Sequence, residues 1–240
     1  MKISVIIPVY NEVESINELY KQLLKALQEF SRYEIIFIDD GSSDGSVETI
    51  KKISELDNSI NLIQFHRNYG KSAALAEGFK HAKGNYIVTM DADLQDDPKE
   101  ISNLINKLEE GFDLVSGWKK DRKDPLSKRL PSKLFNFVTR LFTGVNIHDF
   151  NCGLKIYRKA VVKTLELYGG RHRYIPAMAG QKKFKVTEII VNHRPRIYGE
   201  TKYGGSRLFH GLFDLISILF LSKYTQSPMY FFGKIGLITF

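Results

Sequence analysis

Three runs of β-branched and apolar residues, Ile3 to Val9, Glu34 to Asp39 and Asn85 to Met90, each give way at once to a polar, acid-bearing cluster. Two further runs, Ile60 to Phe65 and Asp113 to Ser116, continue the series. Between them, Glu14 to Phe30, Ser46 to Leu56, Ser72 to Ala82 and Lys99 to Glu109 carry apolar residues at three and four residue steps. Strand and helix in regular succession require crossover connections, and therefore a mostly parallel central sheet with helices on its faces. In such sheets ligands bind beyond the carboxyl ends of the strands, so the polar clusters are the first place to look for chemistry.

Beyond Gly117 the pattern loosens into a basic, proline-containing loop, a helix over Leu130 to Phe142 and a mixed stretch through Val191. The chain of 240 residues with 43% apolar content can fill a substantial core. Its single cysteine, Cys152, excludes an internal disulfide framework and suits a reducing compartment. Met1 to Pro8 holds too short an apolar run for a secretory signal. A formal charge of +8 points to an anionic partner. Much of it crowds into Lys119, Lys120, Arg122, Lys123, Lys128, Arg129 and Lys133, a run that reads either as a solvated face or as an anion site.

The three clusters are Pro8 to Glu12, Asp39 to Asp44 and Asp91 to Pro98. Asp91 and Asp93 lie two apart at a strand end, where the period of two turns both carboxylates the same way. Such a pair suits Mg²⁺ or Mn²⁺, which use one or two carboxylates together with phosphate oxygens, and Gln95 offers another oxygen. Asp97, with Pro98 and Glu100, reads as the cap of the next helix, with Asp96 a candidate for the same task, and Asn11 with Glu14 marks another helix start. Asp39 or Asp40 is placed to accept from a base or a ribose hydroxyl. No Gly-x-Gly-x-x-Gly follows the first strand and no Gly-x-x-x-x-Gly-Lys-Ser/Thr loop occurs, which argues against an ordinary NAD enzyme and a P-loop NTPase.

Taken together, Pro8-Val9-Tyr10-Asn11-Glu12, Asp39-Asp40-Gly41-Ser42, Asn68-Tyr69-Gly70-Lys71 and Asp91-Ala92-Asp93-Leu94-Gln95 resemble family 2 glycosyltransferases of the GT-A fold. The later motifs resemble the polyprenyl-phosphate glycosyltransferases within that family, and the likeness spans nearly the whole chain. It implies a GT-A catalytic domain over 1–205, with a nucleotide-sugar half, 1–117, and an acceptor half, 118–205. By the same resemblance Pro8, Tyr10, Glu12, Asp40 and Lys71 line the base and ribose, while Asp91, Ala92, Asp93 and Gln95 hold the metal and the donor diphosphate. Asp149, in His148-Asp149-Phe150-Asn151-Cys152-Gly153, falls where the family places its acceptor-side aspartate. Arg196 and Lys202 match its phosphate-binding loop, with Thr201 where a serine is commoner.

The implied reaction moves a hexose from a nucleotide diphosphate sugar, UDP-glucose ahead of GDP-mannose and UDP-N-acetylglucosamine, to a polyprenyl phosphate. A phosphate monoester is largely dianionic at neutral pH and needs no strong base. Asp149 would then orient it, whereas a sugar hydroxyl would require proton removal by Asp149, with Asp93 as its catalytic companion on the metal. Arg122, Arg129 and Ser132 are the candidate acceptor-phosphate ligands. A family 2 enzyme extending a sugar acceptor is the alternative reading, and nucleic acid is not an expected partner.

Residues 206–240 read as amphipathic helices. Arg207, His210, Asp214 and Ser217 form one polar stripe in an apolar stretch ending at Leu221, as expected of a helix lying in a bilayer interface. Met229 to Phe240 is interrupted by Lys234 and is shorter than the roughly 20 residues a spanning helix needs. Transmembrane segments following this point are implied by the resemblance. The expected location is a membrane surface with the active site on its cytoplasmic side, and homo-oligomerisation is left open.

Overall fold

The computed structural model describes residues 2–120, 126–198, 229, 232, 233 and 236, without the side chains of 126–131 and 134. The order of elements is β1 (Lys2–Val9), α1 (Val13–Leu27), β2 (Arg32–Asp39), α2 (Ser46–Leu56), β3 (Ile60–Gln64), α3 (Lys71–His81), β4 (Tyr86–Thr89), α4 (Glu100–Glu109) and β5 (Leu114–Trp118). After these come α5 (Leu126–Thr143), β6 (Lys155–Arg158), α6 (Lys159–Val162), a 3-10 turn (Arg171–Tyr174), α7 (Ile175–Gln181) and β7 (Val186–Ile190). The expected alternation is present through β5. α5 begins four residues before the expected Leu130 and runs through Pro131, a residue that ordinarily argues against helix interior.

One seven-stranded sheet runs in the order β3-β2-β1-β4-β6-β5-β7. All pairings are parallel except those of β6, which lies antiparallel between β4 and β5. β1 is covered on both faces. Ile3, Val5, Ile7 and Val9 meet Leu19 and Leu23 of α1, Ile50 of α2 and Leu104 of α4 in one apolar layer. On the other face Ile6, with Ile36 and Ile38 of β2, meets Ala74 and Leu75 of α3 and Ala177 of α7. Each such fully buried aliphatic side chain contributes about 1.5–3 kcal/mol, so the central strands are firmly held. Their carboxyl ends therefore form a rigid rim.

The rim is organised by side chains that cap elements distant in sequence. α1 begins at Val13, whose N–H donates to Asp44 Oδ2 at 3.0 Å. Asn11, expected to cap this helix, instead stands at φ 51° and accepts from the Ser43 N–H at 2.9 Å through Oδ1. Asp97, expected to cap α4, stands one turn earlier: Oδ1 accepts from Lys99 N–H at 3.1 Å, in the turn that leads into the helix.

Candidate active site

β1, β2 and β4 are neighbours, so the three polar clusters that follow them lie side by side. After β2 the chain turns sharply. Asp39 Oδ2 accepts from the Gly41 and Ser42 N–H groups at 3.2 and 3.1 Å. Gly41 stands at φ +77°, and a Cβ there would lie 2.5 Å from the Arg67 carbonyl carbon, so both backbone conformation and space require glycine. Asp40, 4% exposed, accepts from Tyr69 N–H at 2.7 Å and Gly70 N–H at 2.9 Å. Burial raises its pKa, the two amides oppose that and Asp39 adds to it. The carboxylate read from sequence as a base or ribose ligand thus ties down the loop that delivers Lys71 to the head of α3.

Lys71 donates to Asp91 Oδ1. Two residues on, Asp93 Oδ2 accepts from Arg196 at 2.6 Å, and Arg196 also stands 3.8 Å from Glu12 Oε1. Asp96, weighed above as a helix cap, instead pairs with Lys119 at 2.7 Å, its Oδ2 taking the Asp91 N–H at 3.3 Å. Three acids in six residues are therefore balanced by three cations from three other segments. Burial alone would raise the Asp91 pKa, but Lys71 and Lys119 hold it down at about 2. Asp93 is pushed the other way, by burial and by repulsion from Asp91 and Asp96 that Arg196 only partly offsets. Between the acids, Leu94 is buried at φ 61°, a left-handed conformation that costs a branched residue energy and recurs at functional loops.

The donor set fits a hard divalent cation. Among the described residues no group of three His, Cys, Asp or Glu side chains is arranged to hold a metal. A cation bound by Asp91 and Asp93 would have to complete its shell from substrate phosphate and water, which is the habit of Mg²⁺ and Mn²⁺. Room for the Asp91 carboxylate comes from Gly153, where a Cβ would lie 2.5 Å from Oδ2. Gln95 bonds Asp93 Oδ1 through its N–H at 3.2 Å, and its carbonyl takes the Arg194 N–H at 3.0 Å. Arg194 also reaches Asp97 Oδ2 at 2.5 Å, so the 191–198 segment is fastened along the acidic loop.

Pro8 lies on β1 beyond the last residue paired with β4, and Tyr10, just past the strand, is 37% exposed. Ala92 is buried between the two acids. Asp149 is 2% exposed, with Oδ1 taking the Asn151 N–H at 3.1 Å and its carbonyl the Ser116 hydroxyl at 3.3 Å. The buried Lys155 lies within electrostatic reach of both Asp149 and Asp91. Ser132 is half-buried on α5. The backbone of Arg129 belongs to α5 while its side chain, Arg122, Lys202 and residues 207–221, expected to form an interfacial helix, lie outside the described residues.

Four participants escaped the sequence reading. Lys119 reads there as part of a solvated basic run, yet its side chain is 10% exposed; as the first residue past β5, it obeys the strand-end rule that found the acids. Lys155 lies on β6, too short a strand to see. Glu188 of β7 accepts from the His148 and Asp149 N–H groups at 2.7 and 3.3 Å. His172 meets Ser72 Oγ at 2.9 Å through Nδ1, and burial, then Lys71 and Arg173, keep it neutral well below the usual histidine range. Trp118 stacks on His148 with ring centroids 4.1 Å apart.

The model of the family described as glycosyl transferase family 2 matches residues 4–166. A dodecaprenyl-phosphate galacturonate synthase from Rhizobium johnstonii is 38% identical over 243 residues, spanning 99% of this chain and 72% of that protein. An undecaprenyl-phosphate 4-deoxy-4-formamido-L-arabinose transferase from Salmonella choleraesuis is 39% identical over 239 residues, with the same 99% and 72% coverage. Among solved structures, glucosyl-3-phosphoglycerate synthase from Mycobacterium tuberculosis, in complex with Mn²⁺, UDP-glucose and phosphoglyceric acid, superposes with a TM-score of 0.70 at 16% identity. That match covers 91% of this chain and 79% of the other, and the shared architecture is the GT-A fold.

Proposed function

Because this chain belongs to glycosyl transferase family 2, we propose that it moves a sugar from a nucleoside diphosphate donor to a polyprenyl phosphate at a membrane surface, on the cytoplasmic side. The observation that carries the reading is the pairing of Asp91 with Lys71 and of Asp93 with Arg196. These four groups are the complement of a metal diphosphate. With donor bound, Asp91 and Asp93 would hold a Mg²⁺ or Mn²⁺ ion, and Lys71 and Arg196 would pair with the donor phosphates. The ion would neutralise charge growing on the departing diphosphate.

Lys71, Arg196 and Lys202 supply the rest of that stabilisation, so no acid has to protonate the leaving group. Tyr10 and Pro8 line the base side, and Glu12 holds Arg196 near Asp93. Asp149, buried and anchored on Asn151, orients the acceptor; a phosphate dianion attacks the anomeric carbon without a general base. Attack opposite the leaving diphosphate inverts that carbon. Arg122, Arg129 and Ser132 are proposed for the acceptor phosphate. The acceptor class is supported by the two polyprenyl-phosphate transferases at 38% and 39% identity. UDP-glucose is the first donor to test, since one solved structure of this fold, the glucosyl-3-phosphoglycerate synthase, carries it. The test is a screen of nucleotide sugars with Mn²⁺ and a short polyprenyl phosphate; lipid-linked sugar is expected, and its absence with every donor would reject the reading.

A further inference from the structure

α5 carries its polarity in an unusual arrangement. Thr139 is fully buried and Asn136 is 7% exposed, while Phe137, Leu141 and Phe142 are 60, 67 and 60% exposed. Lys133, Phe137 and Leu141 recur every four residues and make one outward stripe. Leu126–Thr143 contains Lys128, Arg129, Lys133 and Arg140 and no acid at all. A helix with large apolar side chains outward and cations only is the pattern of a surface that meets an anionic bilayer.

We propose that the Phe137–Leu141–Phe142 face of α5 docks on the anionic lipid surface. Charge selects this occupant. A second copy laid face to face would oppose two helices of one sign, at a repulsive cost. The chain's own 206–240 segment has Arg207, Lys223 and Lys234 against Asp214 alone, so it offers no complement either. Position agrees as well. On its inner side Asn136 Oδ1 accepts from the Phe150 N–H at 3.3 Å, beside Asp149. α5 would therefore form the single layer, about 10–12 Å thick, between lipid headgroups and the acceptor aspartate. In this it rests on the polyprenyl-phosphate reading above, but lipid binding itself can be read without any transfer.

The experiment is flotation of the full chain with phosphatidylcholine vesicles, with and without phosphatidylglycerol, in the absence of donor and acceptor. Wild type is expected to float with the anionic vesicles and to be released by salt. The variant Phe137→Asp with Leu141→Asp should lose bound fraction by about tenfold or more while keeping its affinity for UDP with Mn²⁺. Equal flotation of the double variant overturns the proposal, as does a change in its oligomeric mass or melting temperature with flotation intact. If the double variant fails to fold, Leu141→Cys decides. Cys152 is buried, so a fluorophore would label position 141 selectively. Its emission should shift blue on anionic vesicles, and an unmoved spectrum overturns the docking. Inactivity on every lipid acceptor with flotation preserved would count against the transfer reading alone.

Discussion

Gly153 gives Asp91 the space its carboxylate occupies: a Cβ at that glycine would stand 2.5 Å from Asp91 Oδ2. The two residues belong to the acidic loop after β4 and to the turn before β6, which also accepts the Thr89 hydroxyl at the Gly153 carbonyl at 2.9 Å. The acidic loop and the turn at Gly153 are thus packed directly against each other.

Gly153→Ala is therefore expected to displace the tip of Asp91 rather than the backbone. Its melting temperature should fall only slightly, while Mn²⁺ affinity in the presence of UDP drops by about 10–100-fold, the range seen when the surroundings that orient a metal ligand are disturbed. Calorimetric titration checks both; unchanged affinity would mean that Asp91 is not the ligand.

Arg196→Gln removes the cation beside Asp93 and the proposed phosphate clamp. Without a charge-assisted hydrogen bond from the guanidinium to the donor phosphates, donor KM should rise by about tenfold or more with acceptor KM little moved. Steady-state kinetics with each substrate varied in turn make the distinction, and an equal rise in both constants would contradict the assignment.

Lys119→Met strands the fully buried Asp96 side chain without its partner. Breaking a buried pair from one side costs about 3–5 kcal/mol, whereas removing both charges costs far less. Urea unfolding should show a large loss for Lys119→Met and substantial recovery on adding Asp96→Asn. Additive losses would show that the pair is not coupled.

His172 binds protons less readily folded than unfolded, because its folded pKa lies well below 6.5. The unfolded chain gains the proton first as pH falls, so this stabilising contribution is complete above pH 6.5 and is lost progressively below it. His172→Gln, which keeps a group able to meet Ser72, should flatten the decline in unfolding free energy measured between neutral and mildly acidic pH. A parallel decline in wild type and variant would rule the histidine out as its source.

The parallel half of the sheet was legible because β-branched runs and helical periodicity alternate without interruption through Ser116. The acidic loop was legible as a polar cluster just past a strand, but β4 stops at Thr89, so Asp91 and Asp93 lie in the bend beyond it and strand periodicity does not set their directions. What escaped depends on partners remote in sequence. Asp44 caps a helix 31 residues away, and no local pattern announces it. β6 has four residues and is antiparallel among parallel neighbours, so neither length nor crossover logic marks it. Lys119 sits in a run of cations whose other members look solvated, and only its adjacency to β5 distinguishes it.

The central claim is that Asp91 and Asp93 grip a divalent ion on the donor diphosphate. Titration of UDP with and without Mn²⁺, into wild type and into Asp91→Asn, tests it without requiring transfer or knowledge of the sugar. Mn²⁺ is expected to strengthen UDP binding to wild type by about tenfold or more, a coupling of about 1–3 kcal/mol being typical of linked ligands, and to do nothing for the variant. The same strengthening in Asp91→Asn would contradict the account.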